Sequence, residues 1–169
     1  MLLVLLLAGC AAPPERPADA PLGPAVDSFA VVGRLMLRQG ERRDHLRIDW
    51  EHDPDTDTLM LSTPLGQGVA RLSRDPLGAT LVLADGRRVR AADWRALAAE
   101  VLGTPLPLDE LPEWLRGARP RRTNVVDGWR VDVAETSMHR GSLLPRALEA
   151  RRDDVELRLL VDERLDGAD

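Results

Sequence analysis

The sequence predicts a mainly β protein with some α: an incomplete antiparallel β-barrel whose apolar face is covered by helices around an apolar cavity or core. Three observations carry this. Apolar and polar residues alternate with period two from Phe29 onward and again after Gly128, as in strands with one buried face. Turn signals cut these stretches into roughly eight to eleven short strands at regular spacing. Between the two strand blocks, residues 93–117 carry helical spacing, cap residues and a proline break instead. No internal repeat is evident.

The chain opens on Met1 to Ala8, an apolar run that is too short to cross a bilayer and ends in small residues, as a secretory signal does. Cationic residues that ordinarily precede such a run are missing, which points to a start codon further upstream. Leu7-Ala8-Gly9-Cys10 resembles the bacterial lipobox; the alternative is a buried hydrophobic strand. The lipobox implies removal of residues 1–9, leaving Cys10 as the lipid-bearing first residue. Each buried methylene contributes about 0.8 kcal/mol, so one fatty chain holds marginally and several hold durably. Ala11 follows Cys10 in place of the aspartate that retains such proteins at the inner membrane, so the resemblance points to the outer membrane, facing the periplasm. Residues 10–24 contain Pro13, Pro14, Pro17, Pro21 and Pro24 and read as an extended tether. At ~3.1 Å per residue it could hold the body on the order of 40 Å from the lipid. Residues 25–165 form a single domain.

Phe29, Val31, Leu35 and Leu37 share a face, as do Leu46, Ile48 and Trp50; Arg34, Arg38, Arg47 and Asp49 take the other side, giving a sheet wetted on one face. Leu59 and Leu61 continue it, followed by Val69 to Arg74 and Ala79 to Ala84, separated by Asp75-Pro76-Leu77-Gly78. Asp85-Gly86 is a hairpin signal leading into a strand through Val89. Asp93 then offers an N-cap, Trp94, Leu97, Ala98, Val101 and Leu102 follow at helical spacing, and Gly103 offers a C-cap. Pro105-Leu106-Pro107 breaks the chain. Leu108 to Gly117 reads as a shorter helix in which Pro112 is tolerable only near the first turn. Arg119 to Asn124 reads as a polar loop, and Asp127-Gly128 turns the chain into Trp129, Val131 and Val133. Further strands are expected near Ala147 to Arg151 and through Val155, Leu157, Leu159 and Val161.

Composition narrows the function. A net charge of −5 and 44% hydrophobic content describe a globular domain without the basic stripe of a nucleic-acid binder, so no nucleic acid is expected as a partner. The single cysteine allows no internal disulfide. All 23 basic residues are arginine, which excludes a catalytic lysine and is explained by codon bias in a GC-rich genome. Asp53-Pro54-Asp55-Thr56-Asp57 begins like a calcium loop. It places Thr58 where Gly is needed and Pro64 where a bidentate Glu is needed, so it reads as a solvated hairpin loop. His45, His52 and His139 lack metal-ligand spacing. No Gly-x-Ser-x-Gly elbow, phosphate loop or His-Glu-x-x-His is present, so the chain is not read as an enzyme.

Two features remain. Trp50, Trp114 and Trp129 converge on the inner face, where they either fill the core or line an apolar cavity; Trp94 reads as core. In Thr63-Pro64-Leu65-Gly66, the fixed φ of Pro64 and the freedom of Gly66 can hold Leu65 out at a hairpin tip or fold it back onto the core.

Together with Leu7 to Cys10, the following stretches resemble the LolB family of outer-membrane lipoprotein receptors: Gly33-Arg34-Leu35, Arg47-Ile48-Asp49-Trp50, Pro64-Leu65-Gly66, Asp85-Gly86, Leu102 to Leu108, Trp114-Leu115-Arg116-Gly117, Gly128-Trp129 and a Leu143-Leu144-Pro145 turn. The resemblance implies an unclosed barrel that accepts lipoproteins from a soluble periplasmic carrier, holds their acyl chains in a cavity and releases them into the outer membrane. It implies no cofactor, and partners limited to that carrier, acylated cargo and outer-membrane lipid; a monomer is expected. Cys10 would carry the lipid, and Pro64, Leu65 and Gly66 would form the membrane-insertion loop. Trp50, Trp114, Trp129, Leu35, Leu46, Ile48 and Leu115 would line the acyl-chain cavity. Where the family's terminal strand carries a Trp, this chain has Glu163 and Arg164. The other functional classes considered are an outer-membrane scaffolding lipoprotein and a lipid-anchored hydrolase; the latter lacks a nucleophile and base.

Overall fold

The centre of the sheet is built from the two ends of the domain. In the computed structural model, which describes residues 22–103, 105–118 and 123–165, the first strand β1 (Phe29–Gln39) pairs antiparallel with the last, β10 (Val155–Leu165). On one side of this pair follow β2 (Arg42–His52), β3 (Asp57–Ser62), β4 (Gly68–Asp75), β5 (Gly78–Leu83) and β6 (Arg88–Ala91). On the other lie β9 (Ser142–Arg152), β8 (Trp129–His139) and β7 (Thr123–Val126). The order β6-β5-β4-β3-β2-β1-β10-β9-β8-β7 leaves β6 and β7 unpaired with each other, so the ten-stranded sheet stays open.

Alternation decides which face is buried. Val31, Ile48, Trp50, Leu59, Leu72, Leu81, Val131, Leu148, Leu157 and Leu159 point to the core, while Arg34, Arg47, Arg71 and Arg158 occupy the opposite face. The helices close over the core side: α1 (Trp94–Leu102) lies against β5 and β6, and α2 (Leu111–Leu115) against β9. The cap signals of α1 are realised, for Asp93 accepts from the Ala96 amide at 2.7 Å and Gly103 is left-handed at φ 70. Pro112 falls in the first turn of α2, where its missing N–H costs nothing. At the β7–β8 hairpin both Asp127 (φ 49) and Gly128 (φ 79) take positive φ, the geometry of a turn matched to strand twist.

Four local expectations change. Thr123 and Asn124, read as loop, open β7, where pairing with Asp132 and Val131 gives two polar residues a ladder. Leu143-Leu144-Pro145 is part of β9, not a turn; the chain reverses at Arg140 and Gly141, both at positive φ. The second helix is confined to five residues, because Pro107 to Glu110 form a turn ahead of it. Gly23, placed in the tether, donates its amide to the Leu143 carbonyl at 2.8 Å, so the folded body takes up the chain before residue 25.

Asp57 departs furthest from expectation. It is a buried strand residue, with none of its side chain exposed, and not part of a solvated loop. Trp50 Nε1 donates to it at 2.8 Å, His52 Nδ1 lies 2.8 Å away, and Arg74 Nε donates at 2.6 Å. His52 in turn stacks on Phe29 at 4.9 Å.

Candidate functional site

Strand polarity sorts the turns into two groups. The turns after β1, β3, β5, β7 and β9 lie at one end of the sheet; those after β2, β4 and β8 lie at the other, with the N-terminal stretch 22–28. Leu65 belongs to the first end. The Gly66 amide donates to the Thr63 carbonyl at 2.8 Å and the Thr63 amide to Gln67 at 2.8 Å, closing a turn with Pro64 second and Gly66 fourth at φ 87. Leu65 at the tip is 97% exposed. The open alternative is thereby resolved: the leucine stands away from the core.

On β1 to β6 the apolar face is least covered at this same end. Leu35, Leu37, Leu61, Val69, Leu83 and Val89 sit toward these strand ends, packed against the core yet only partly buried, and Leu46 is half-buried opposite Leu35. Elsewhere the face is filled, including Trp129 at the start of β8 on this same end. Trp50, Trp114, Trp129, Ile48 and Leu115 are all buried in one cluster with Trp94, Trp50 and Trp94 lying 5.4 Å apart. The Trp129 indole donates to the Pro105 carbonyl at 3.1 Å. The structure therefore divides the predicted lining in two: Leu35 and Leu46 belong to the partly open end, and the tryptophans, Ile48 and Leu115 to the packed interior. Sequence reasoning missed Leu61, Val69, Leu83 and Val89 as companions of Leu35; their signal was strand polarity, since each lies at the strand end nearest the turns that include Leu65.

Beside the Leu65 loop lies a groove of about 760 Å³, lined by the outer-face residues Arg34, Met36, His45, Arg47, Arg158, Leu160 and Asp162 together with Pro64 and the intervening strand residues Leu35 and Leu46. Arg34 binds Asp162 through two nitrogens at 2.9 and 2.6 Å. That hydrogen bonding, and secondarily the carboxylate charge, raises the Arg34 pKa above its ordinary value. A second exposed leucine, Leu77 at 95%, caps the β4–β5 turn at the other end of the sheet. Where the family pattern led to an expected Trp, Arg164 instead donates to the carbonyls of Leu115 and Pro145 at 3.0 and 2.7 Å, tying α2 to β9 and β10. Its burial lowers the guanidinium to about 10. Cys10 lies outside the described residues.

A family model described as outer membrane lipoprotein LolB matches residues 27–163. The chain belongs to the LolB family. The LolB of an Azoarcus species is 35% identical over 171 residues, covering 94% of this chain and 89% of that protein. The Chromobacterium violaceum LolB is 36% identical over 173 residues, with 94% and 93% covered. Among solved structures, a LolA superfamily protein of Nitrosomonas europaea superposes with TM-score 0.54 at 9% identity, covering 85% of this chain and 88% of that one, a likeness of fold. As a member of this family the chain is an outer-membrane lipoprotein that faces the periplasm and acts as a receptor in lipoprotein localisation.

Proposed function

We propose that this protein accepts acylated lipoproteins from a soluble periplasmic carrier, shelters their acyl chains against the partly open end of its apolar face, and delivers them to the bilayer through Leu65. One observation supports this reading above the others: the exposed leucine and the incompletely covered apolar residues Leu35, Leu37, Leu46, Leu61 and Leu83 occur at the same end of the sheet. Acyl chains laid there would rest on the packed floor of Trp50, Ile48, Trp114, Leu115 and Trp129. No bond is made or broken. Direction comes from differences in affinity among carrier, receptor and bilayer, so a receptor that held its cargo too tightly would not release it. Cys10, acylated, keeps the body within reach of the membrane.

Burying Leu65 in lipid is worth roughly 1.5 to 3 kcal/mol, enough to bias the last step by about one to two powers of ten. Leu65→Glu is expected to leave the thermal midpoint and cargo capture unchanged while delivery from loaded carrier to phospholipid vesicles falls by that factor. A cargo lipoprotein carrying a photoreactive acyl chain should crosslink to Leu35, Leu61 or Leu83. Normal delivery by a stable Leu65→Glu protein would remove the loop from the mechanism, and crosslinks confined to the outer face would favour a scaffolding lipoprotein instead.

A further inference from the structure

We propose that the outer-face groove on β1, β2 and β10, beside the Leu65 loop, binds the phosphodiester headgroup of a membrane phospholipid. The inference rests on the reading of Leu65 as a bilayer contact, which brings the groove to the headgroup layer; its test does not depend on insertion.

The chemistry of the lining is that of an amphipathic anion. Arg34 and Arg47 lie directly opposite each other across β1 and β2, an arrangement of like charges that opposes pairing unless an anion lies between or beside them. Asp162, brought in where the β1–β10 register slips between Val32 and Gly33, answers Arg34 alone. Arg158 is shared with Glu135 at 3.6 Å and Glu149 at 3.5 Å. Arg47 has no ion pair among the described residues, and it is exposed. The lining thus holds three guanidiniums against one carboxylate, on a chain whose net charge is −5. Guanidinium forks match phosphate oxygens in a way that a general negative surface would not provide.

Apart from His45, the rest of the groove is apolar. Met36 and Leu160 are half-buried between the charged residues, so a bare anion would leave them uncovered. A phosphodiester attached to glycerol and the first methylenes of its chains satisfies both surfaces, and the volume of about 760 Å³ accommodates such a group. Pro64 belongs to the same lining, so a headgroup held there would sit next to the residue that precedes Leu65. Headgroup capture and leucine insertion would then act on one patch of membrane.

The test uses the full chain with Cys10→Ala, so that it is free of its own lipid, and a water-soluble phospholipid, dihexanoyl phosphatidylglycerol, kept below its micelle concentration. Titration followed by backbone amide resonances should give saturable shifts confined to residues 34–36, 45–47 and 158–162, at lower concentration than inorganic phosphate requires. Arg47→Gln should weaken binding about fivefold, the equivalent of the ~1 kcal/mol that one basic residue contributes near an anionic lipid surface. Arg90→Gln, which removes an exposed arginine from the same face on the edge strand β6, should change nothing. Equal weakening by both variants, shifts spread over the whole face, or inorganic phosphate binding as tightly as the phospholipid would each overturn the proposal. Leu65→Glu should leave this titration intact, so loss of vesicle delivery without loss of headgroup binding would count against neither the groove nor the loop. Loss of headgroup binding alone would sink only the groove.

Discussion

At the scale of single residues, a carboxylate buried as fully as Asp57 is tolerated only while donors stay aimed at it. Trp50, His52 and Arg74 supply them, so the charge holds together β2, β3 and β4 at the end of the sheet remote from Leu65. Asp57→Ala would leave a buried indole N–H and an imidazole facing no acceptor, and removing one member of a buried pair typically costs about 3 kcal/mol or more. Chemical denaturation should register that loss, whereas Asp55→Ala, two residues away and exposed, should not. The same scale explains why the sequence misled here. Asp53, Asp55 and Asp57 look alike in a polar run, and only the strand that begins at Asp57 turns one of the three inward.

Among elements, the β1–β10 seam is the most exacting contact. A Cβ built on Gly33 would lie 2.3 Å from the Leu160 carbonyl oxygen, a backbone atom that cannot swing aside. Gly33→Ala should therefore open the seam at the register shift and cost about 2 kcal/mol, as overpacking does, with earlier amide exchange in β1 and β10 than elsewhere. The junction of α1 with the turn before α2 offers a pH-dependent case. Burial first, and the neighbouring Asp93 second, hold the Asp109 carboxyl above its ordinary pKa. The folded chain then keeps this proton at a pH where the unfolded chain has released it, so ionisation of Asp109 destabilises as the pH rises through that range. Asp109→Asn should raise the thermal midpoint at pH 7 and lose its advantage as the pH falls below the ordinary carboxylate range; a gain that persists in acid would contradict this account.

For the whole molecule, the arrangement of ends matters most. The first described residues, 22–28, lie at the end of the sheet opposite Leu65, pinned by Gly23 to Leu143 and by Val26 to Arg116. A lipid on Cys10, as proposed, and the Leu65 end could meet one membrane only if the chain between Cys10 and Gly23 spanned the sheet, and at ~3.1 Å per residue its greatest reach would be on the order of 40 Å. Cys10→Ala should release the protein from the outer-membrane fraction and abolish incorporation of labelled fatty acid. Label retained on that variant would place the anchor elsewhere. Shortening residues 11–21 by half should leave the protein anchored but slow delivery, because the folded body could no longer turn its far end to the lipid.

The sequence by itself determined the open antiparallel sheet, the first helix with its caps and the presence of a second after the proline break, the residues of the core face and the family, because these follow from periodicity, turn chemistry and short motifs that act over a few neighbouring residues. It also placed Pro64 and Gly66 where a turn needs them. Only the tertiary structure decided that Leu65 stands in solvent, that the tryptophans pack as a closed floor while Leu35 shares a partly open end with Leu61 and Leu83, and that Asp57 is buried. Each of these depends on which strand ends come to lie side by side and on what α1 and α2 cover. A face shared along one strand is legible from alternation; how far that face is covered is set by elements distant in the chain.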